Sequence, residues 1–333
     1  MSRGGSESEV SMRDAINDAL REELERDESV YVVGEDVAEA GGSFGITRGL
    51  HDEFGEERVF DTPISEQAIV GSSAGAALTG SRPVAEIMYA DFMALAAEQV
   101  MNQAGLFRYM FGGDATVPMT IRTVNGGAGF NAAAQHSKSL HGLFLGMPGV
   151  RVVLGSTVHD TKGLLKSAIR ADDPVLFFEH MELYNRKAEI PEGAYTLPLG
   201  EAAVEREGED VTVVANQLML HHTLDVAESL DGEVSVEVVS PRTLKPLDVE
   251  TLAASAKKTG RVVVADESVL QGGPGSYVAR RIEEAAFYHL EAPVSVVGVD
   301  DTPIPFSPPL ADAVVPGPED IEDAIRALPR LRV

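Results

Sequence analysis

The sequence DTPISEQAIVG at residues 61–71 predicts a strand-to-helix turn, the unit from which parallel α/β sheets are built. Ser65 is suited to cap the helix that the following small and apolar residues continue, and Pro63 restricts the approach of the chain. The turn places one carboxylate, Glu66, among uncharged and largely apolar neighbours. Because open parallel sheets bind ligands at the carboxyl ends of their strands, we expect Glu66 at the edge of a ligand-binding crevice.

The residues around this turn alternate between short β-rich runs and helical stretches. Five runs in the first half of the chain are predicted as strands: VYVVG at 30–34, PVAEI at 83–87, MTIRTV at 119–124, VRVVLG at 150–155 and PVLFFE at 174–179. Helices are predicted from Ser11, whose spacing to Asp14 resembles a capping box, to about Asp27, and near 67–79, 93–110 and 160–171. Strands that alternate with helices indicate a parallel sheet with helices on both faces.

Residues 180–200 interrupt this alternation with prolines and glycines in close succession, a composition expected of a linker. The alternation then resumes, with predicted strands at 211–215, 234–239, 261–266 and 293–298 and predicted helices near 219–230, 248–258 and 275–288. We therefore predict an α/β fold of two domains, each a mainly parallel sheet with helices on both faces. The predicted boundaries are 9–182 for the first domain, 183–200 for the linker and 201–330 for the second domain.

The composition excludes some classes of partner. The 333-residue chain contains 53 acidic and 27 basic residues, for a formal net charge of −26, and seven of the basic residues are lysine. Nucleic acid and anionic membranes are therefore excluded as partners, because like charges repel. We interpret the charge as an adaptation to a salty, halophilic cytoplasm, with an acidic protein of an ordinary cytoplasm as the alternative. A melting temperature that does not respond to potassium chloride would favour the alternative.

The sequence lacks the groups that several kinds of chemistry require. No cysteine occurs, which excludes disulfides, thiolate metal sites and cysteine nucleophiles. No apolar run has membrane-spanning length, and the N-terminal residues lack the apolar core of a secretory signal, so a cytoplasmic protein is expected. The chemistry must therefore come from carboxylates, histidines or a cofactor.

Three glycine-rich segments, at 41–45, 126–130 and 271–275, match neither the dinucleotide-binding pattern nor the phosphate loop. The segment FGGDATVP at 111–118 is likewise not followed by the spaced Asn expected of a diphosphate–magnesium site. If a phosphorylated cofactor binds here, we expect another chain to hold its phosphates and its metal.

Three other places suit a binding site, and each has a structural alternative. His136 follows a glycine-rich loop and could move protons near neutral pH, or it could be a loop histidine bonded to a backbone carbonyl. Met88, Tyr89 and Phe92 end a predicted strand and could hold a flat heteroaromatic ring, or they could pack in the core. Glu35, at another strand end, could contact a ligand or cap a helix.

Nine motifs follow one another in a fixed order over nearly the whole chain. They are VVGEDVAEAGGSFGITRGL at 32–50, DTPISEQAIVG at 61–71, AEIMYADF at 85–92, AAAQHSKS at 132–139, MPGVRVV at 147–153, GLLKSAIRADDPVLFFE at 163–179, SPRTLKPLD at 240–248, VVVADES at 262–268 and LEAPVSVVGVDDTPIPF at 290–306. Together they closely resemble the beta subunit of the thiamine-diphosphate-dependent decarboxylating component of 2-oxo acid dehydrogenase complexes. The resemblance implies a pyrimidine-binding domain followed by a transketolase-like C-terminal domain.

The resemblance also implies roles for individual residues. The cofactor-binding residues that it implies are Glu66, Phe92, Met88, Ile64 and Glu35. Of these, Glu66 matches a glutamate that hydrogen-bonds a ring nitrogen of the cofactor's aminopyrimidine, and Phe92 matches an aromatic that stacks on that ring. His136 matches a histidine associated with acyl transfer to a lipoyl group. Glu66 and His136 are thus the expected catalytic residues.

The same resemblance implies an activity and its partners. It implies oxidative decarboxylation of a 2-oxo acid, pyruvate or a branched-chain one, with acyl transfer to lipoyllysine of an acyltransferase core. Thiamine diphosphate would be shared with an alpha subunit, which binds the magnesium, in an alpha-2-beta-2 heterotetramer. The alternatives are the beta subunit of an acetoin dehydrogenase and a non-catalytic assembly subunit.

A potassium site that some relatives form around residues 168–173 is left open. Ala171 and Asp173 stand where those relatives often have Asp and Asn, respectively. Backbone carbonyls could still hold the ion, but the sequence assigns no ligands to it, so metal on this chain is unassigned.

Overall fold

The structure of the chain, a computed structural model, describes residues 7–126 and 132–329. Contacts divide the described residues into two compact units. The first unit contains the residues up to Asn125 and Gly146–Leu199, and the second contains the remaining residues up to Leu145 and those from Gly200 onward. Most of the glycine-rich loop 125–131 lies outside the described residues.

The first unit is built on a parallel sheet. Its strands are β1 (Glu7–Ser11), β2 (Val30–Gly34), β3 (Val59–Asp61), β4 (Arg82–Ile87), β5 (Thr120–Asn125), β6 (Arg151–Leu154), β7 (Val175–His180) and β8 (Lys187–Pro191). Six of them pair in parallel within this unit, in the order β6–β7–β5–β4–β2–β3. β1 and β8 form a separate antiparallel pair, so part of the segment predicted as a linker is a strand of the first unit.

The helices of the first unit are α1 (Met12–Arg26), α2 (Leu50–Phe54), α3 (Glu66–Leu78), α4 (Phe107–Met110) and α5 (Val158–Arg170), with short 3-10 helices at Ala90–Ala94 and Met181–Leu183. Ser11 caps α1 as predicted, because the Asp14 amide donates to its Oγ at 3.1 Å. Ser65 occupies the corresponding position before α3, but its side chain makes no capping hydrogen bond, so the predicted cap is wrong in that respect.

The prediction of one continuous helix at 93–110 is wrong. The chain there includes a π-helix at Gln99–Ala104, which ends where the Gly105 amide donates to the Val100 carbonyl five residues back. This wider turn brings Gly105 against Pro148, and a Cβ on Gly105 would lie 2.8 Å from the Pro148 carbonyl oxygen. A close approach of two backbones therefore interrupts a pattern that reads as an ordinary helix.

The second unit repeats the α/β plan. Its strands are β9 (Ala203–Arg206), β10 (Val211–Ala215), β11 (Val236–Ser240), β12 (Thr243–Lys245), β13 (Val262–Val269) and β14 (Ser295–Val299). Its helices are α6 (Gln217–Ser229), α7 (Val249–Thr259), α8 (Pro274–Ala286), α9 (Pro308–Asp312) and α10 (Pro318–Arg326), with 3-10 helices at Ala133–Gln135, His141–Phe144 and Phe287–His289. Five strands form a sheet in the order β14–β13–β10–β11–β9, and β9 alone runs antiparallel to its neighbour.

Strands β7 and β10 are apolar over most of their length, as expected where helices cover a parallel sheet. Every residue of β7 and of β10 is buried. The predicted α/β class, with two mainly parallel sheets and helices packed on them, is confirmed. Within 7–126 and 132–329, no helix has both the length and the apolar character needed to cross a membrane.

Candidate functional site

The carboxyl ends of β3, β2 and β4 meet at one edge of the first unit's sheet. Gly34 at the end of β2 pairs with Asp61 at the end of β3, so the chain leaves these strands side by side. The segments that follow carry residues predicted for the site: Glu35 after β2, Glu66 after β3 and Met88 after β4. The fold therefore brings these three predicted residues to one edge of the sheet.

Glu66 is the first residue of α3, and only 7% of it is exposed. The helix begins here because the Ile69 amide donates to the Ser65 carbonyl at 2.9 Å. The N-terminus of a helix favours negative charge, since its first amide groups point toward this end without partners in the helix. The fold thus places the Glu66 carboxylate largely away from water, at a helix N-terminus that stabilises negative charge.

Glu35 is half-buried in the segment after β2. Burial raises the pKa of its carboxyl, and the negative charges of Glu66 and Asp36 raise this pKa further. The Glu66 carboxylate therefore acts electrostatically on Glu35, and Glu35 keeps its proton to higher pH than an exposed glutamate does. Such a pair can both accept hydrogen bonds and exchange a proton with a nitrogen base.

Hydrogen bonds hold together the two loops that carry these carboxylates. The Thr62 amide donates to the Gly34 carbonyl at 2.9 Å, and the Ala38 amide donates to Asp61 Oδ1 at 2.8 Å. Gly34 also needs to be glycine, because a Cβ there would lie 2.9 Å from the Glu86 carbonyl oxygen. The spacing of the loops is therefore set by these hydrogen bonds and by the close packing of the backbone at Gly34.

Met88, Tyr89 and Phe92 follow β4 and form a half-buried surface that we call the apolar wall. The rings of Tyr89 and Phe92 meet edge to face, with centroids 5.8 Å apart. Ser43 Oγ donates to Met88 Sδ at 3.4 Å. Burial and the charge of Asp91 raise the pKa of Tyr89, so its phenol stays neutral. Ile64, also predicted to line the cofactor, is 81% exposed.

A buried ion network lies in the same sheet, and its role could not be read from the sequence. Arg122 on β5 donates to both carboxylate oxygens of Glu179 on β7, at 2.7 and 2.9 Å, and to Glu86 on β4 at 2.7 Å. The Tyr184 hydroxyl donates to Glu179 Oε2 at 2.7 Å. We call these four residues the arginine network; all four are buried.

Burial lowers the pKa of Arg122, but the charges of Glu179 and Glu86 outweigh it and raise this pKa above its ordinary value. Burial raises the pKa of Glu86 despite the opposing charge of Arg122. The network therefore contains a permanently charged guanidinium and one carboxyl that binds a proton more readily than usual.

His136 lies in the second unit, next to the 3-10 helix Ala133–Gln135, and it is half-buried. Glu66 and the apolar wall lie in the first unit. The two catalytic residues expected from the sequence, Glu66 and His136, therefore belong to different units. The adjoining Ser137 is buried, which places His136 at the border between exposed chain and core.

His141, five positions after His136, is fully buried and bonds Asp266 on β13 at 2.9 Å. Burial raises the pKa of Asp266, but the charge and hydrogen bond of His141 outweigh it and lower this pKa to about 2. The Asn216 side chain adds a hydrogen bond to the same carboxylate at 2.7 Å. This pair anchors the chain after His136 to the sheet.

Metal ligands are not assembled in the part of the chain that the structure describes, where no three His, Asp or Glu side chains could share an ion. In the segment 168–173, which spans the end of α5 and the turn after it, Arg82 Nη1 donates to two main-chain carbonyls at 3.0 and 3.2 Å. The Asp173 carboxylate lies 3.2 Å from Arg108 and 3.0 Å from Arg151. These oxygens already have cationic partners, so they do not form an open set of potassium ligands, and metal on this chain stays unassigned.

Two family descriptions match the chain. Residues 8–187 match the transketolase pyrimidine binding domain, and residues 200–321 match the transketolase C-terminal domain. Among solved structures, a split gene transketolase described as an inactive beta4 tetramer is similar with a TM-score of 0.76 and 25% identity. That similarity covers 95% of this chain and 97% of the transketolase chain.

Several named proteins of similar length also match the chain over nearly the whole of both sequences. The chain is 45% identical over 328 residues to the acetoin:2,6-dichlorophenolindophenol oxidoreductase subunit beta of Cupriavidus necator, covering 95% of this chain and 96% of the relative. It is 43% identical to the 2-oxoisovalerate dehydrogenase subunit beta of Bacillus subtilis (96% and 99% covered) and 45% identical to the pyruvate dehydrogenase E1 component subunit beta of that organism (96% and 98%). The chain therefore belongs to the transketolase-like family of 2-oxo acid and acetoin dehydrogenase beta subunits.

Proposed function

We propose that this chain is the beta half of a thiamine-diphosphate-dependent dehydrogenase that decarboxylates a 2-oxo acid in the cytoplasm and passes the acyl group to lipoyllysine of an acyltransferase core. The observation that carries the proposal is the buried carboxylate of Glu66 at the carboxyl edge of a parallel sheet. When bound, the cofactor supplies the electron sink that allows carbon dioxide to leave. The protein has to bind it, orient it and control one proton.

The groups at this edge suit the aminopyrimidine end of the cofactor. Glu66 would hold a proton at a ring nitrogen, and Glu35, whose pKa is raised by burial and by the charge of Glu66, would be a second carboxyl able to share a proton there. Phe92 would cover the ring face, a type of contact worth about 0.5–1.5 kcal/mol beyond burial. Met88 and Ile64 would flank the ring.

An alpha subunit would supply what this chain lacks. The described residues offer no cluster of ligands for magnesium, so we place the diphosphate and its magnesium on the partner. Ile64, Tyr109, Met110 and Phe111 expose most of their apolar side chains. Exposed apolar groups of this kind are typical of surfaces that a partner covers. We infer that the alpha subunit covers them in an alpha-2-beta-2 heterotetramer.

The experiment that tests this function is reconstitution with the alpha subunit and a panel of substrates. We expect carbon dioxide release from a 2-oxo acid only when both subunits and thiamine diphosphate are present. The acetoin and pyruvate relatives are equally similar, at 45% identity, so the panel must contain acetoin as well as pyruvate and branched-chain 2-oxo acids. Turnover of acetoin alone would identify an acetoin dehydrogenase, and a tetramer that binds no cofactor would identify an assembly subunit.

We propose that His136 assists transfer of the acyl group to the lipoyl arm. His136→Ala should lower lipoyl-dependent turnover by about 100-fold or more, the lower range of general acid–base assistance. Decarboxylation measured with an artificial electron acceptor should fall much less, because that assay bypasses the lipoyl group. His159→Ala is the control, since this half-exposed histidine lies in the first unit on α5. Equal losses in both assays would remove the special role of His136.

A further inference from the structure

The glycine-rich segment 41–45 has a defined conformation but no place yet in the proposed chemistry. Gly41, Gly42 and Gly45 have φ angles of 76°, 81° and 73°, in the left-handed region that glycine adopts without strain. The Gly42 amide donates to the Asp36 carbonyl at 2.7 Å. The segment is therefore a fixed turn, tied to the loop that carries Glu35.

Phe44, within this turn, lies between two other aromatic rings. Its centroid is 5.6 Å from that of Tyr184, at a tilt of 34°, and 5.7 Å from that of Tyr89, edge to face. Tyr89 in turn meets Phe92. These separations are in the range of favourable aromatic pairs. Four rings thus form a continuous row, which we call the aromatic row: Tyr184, Phe44, Tyr89 and Phe92.

One end of the aromatic row is anchored in the core. The Tyr184 hydroxyl donates to Glu179, and the Arg122 guanidinium holds Glu179 by two hydrogen bonds. Tyr184 is buried, and burial together with the charge of Glu179 raises its pKa well above the ordinary value, so it remains a donor. The other end is Phe92 in the apolar wall.

We infer that Phe44 is a positioning residue for the pyrimidine ring of the cofactor, acting through Tyr89 on the ring of Phe92. The inference rests on the proposed function and adds a residue to it. Phe44 touches the wall from the side of the glycine turn, and Ser43 in the same turn bonds Met88. The turn therefore contacts the apolar wall at two points. Without the ring of Phe44, Tyr89 would lose one of its aromatic contacts, and the ring of Phe92 packed on Tyr89 would be held less firmly.

The test is Phe44→Leu in the heterotetramer, which keeps apolar bulk but removes the ring. We expect the Kd of thiamine diphosphate to rise about tenfold, because the ring contacts that orient the wall are lost. At saturating cofactor, kcat should fall less than about threefold, since Glu66 is untouched. Phe44→Tyr keeps the ring and should restore the Kd to within about twofold of the unaltered protein.

Phe60→Leu is the matched control, because it removes a stacked pair with Tyr31, at 5.5 Å, that lies outside the aromatic row. We expect it to lower the melting temperature without changing the Kd. An unchanged Kd in Phe44→Leu, or an equal rise in Phe60→Leu, would overturn the inference. If the heterotetramer with Phe44→Leu does not assemble, Tyr184→Phe is tested instead. This variant keeps the ring at position 184 but removes its hydrogen bond to Glu179, and we expect the Kd of thiamine diphosphate to rise as well.

Failure of the proposed function would look different. If the unaltered heterotetramer bound no thiamine diphosphate, the function itself would fail. If it bound the cofactor and responded to changes at Glu66 but not at Phe44, only the positioning role would be lost.

Discussion

Replacing Glu66 with alanine is expected to abolish decarboxylation, with a loss of at least about 1,000-fold, while the heterotetramer still assembles. The side chain is buried at the first turn of α3, at the sheet edge where the pyrimidine is proposed to bind. No other acid in the described residues has the same placement, since Glu35 follows a different strand and is half-exposed. Carbon dioxide release at saturating cofactor measures the loss.

Two variants separate chemistry from folding. Glu66→Gln keeps the shape and one hydrogen bond but cannot exchange the proton, so it should lose activity almost as fully as Glu66→Ala. Glu56→Ala removes an exposed glutamate that precedes β3, at the opposite end of that strand from Glu66, and should leave turnover unchanged. Loss of the first-turn charge should cost only about 0.3–1 kcal/mol, so a folded protein is expected. Near-normal turnover in Glu66→Ala would refute the role of this carboxylate.

Replacing Arg122 with methionine is expected to give the largest loss of stability. The guanidinium is the shared partner of two buried carboxylates, Glu179 and Glu86. Removing one member of a buried ion pair costs about 3–5 kcal/mol, because the remaining charge stays in a medium that solvates it poorly. Denaturant unfolding of the full chain measures the change in the free energy of unfolding.

Arg21→Met is the control for this change, because Arg21 also contacts two carboxylates, Asp18 and Glu53, but at the partly exposed surface. We expect a cost of about 0.2–1 kcal/mol per exposed pair. A similar small cost for Arg122→Met would show that the buried carboxylates find other partners or become neutral at little expense. The proposed anchor of the aromatic row would then have to be reconsidered.

The sequence predicted most of the central elements because their signals are local. VYVVG and VTVVA are short apolar runs next to helices, and both became strands with the predicted bounds. The turn at Glu66 was placed correctly for the same reason, since α3 begins one residue before the predicted start. A continuous apolar run in an alternating pattern identifies a buried parallel strand without knowledge of its neighbours.

Elements that depend on distant partners were not predicted. β1 and β8 are polar and pair across the length of the first unit, from Glu7 to Pro191, so neither shows a strand pattern by itself. The arginine network has the same property, because Arg122 lies 36 residues from Glu86 and 57 from Glu179. The charged residues in these buried strands, Glu86, Arg122 and Glu179, were the available signal, but the sequence does not say which of these charges meet.

The π-helix shows a second limit. The buried positions Met93, Ala96, Val100 and Ala104 have the spacing of an ordinary amphipathic helix, so the pattern predicted one. The deviation arises from the contact between Gly105 and the backbone near Pro148, which no local pattern reports. For the site, the sequence named the carboxylates and the wall, whereas the turn at Phe44 that supports them became visible only in three dimensions.

The arginine network holds two carboxyls against one guanidinium, and this links its formation to a proton at Glu86. Burial raises the pKa of Glu86 in the folded chain, so this carboxyl binds a hydrogen ion more readily once the sheet has closed around it. The contribution of Glu86 to stability is complete below its unfolded pKa and declines as the pH rises toward the folded one. For this one carboxyl, a rise in pH rather than a fall therefore weakens the folded state.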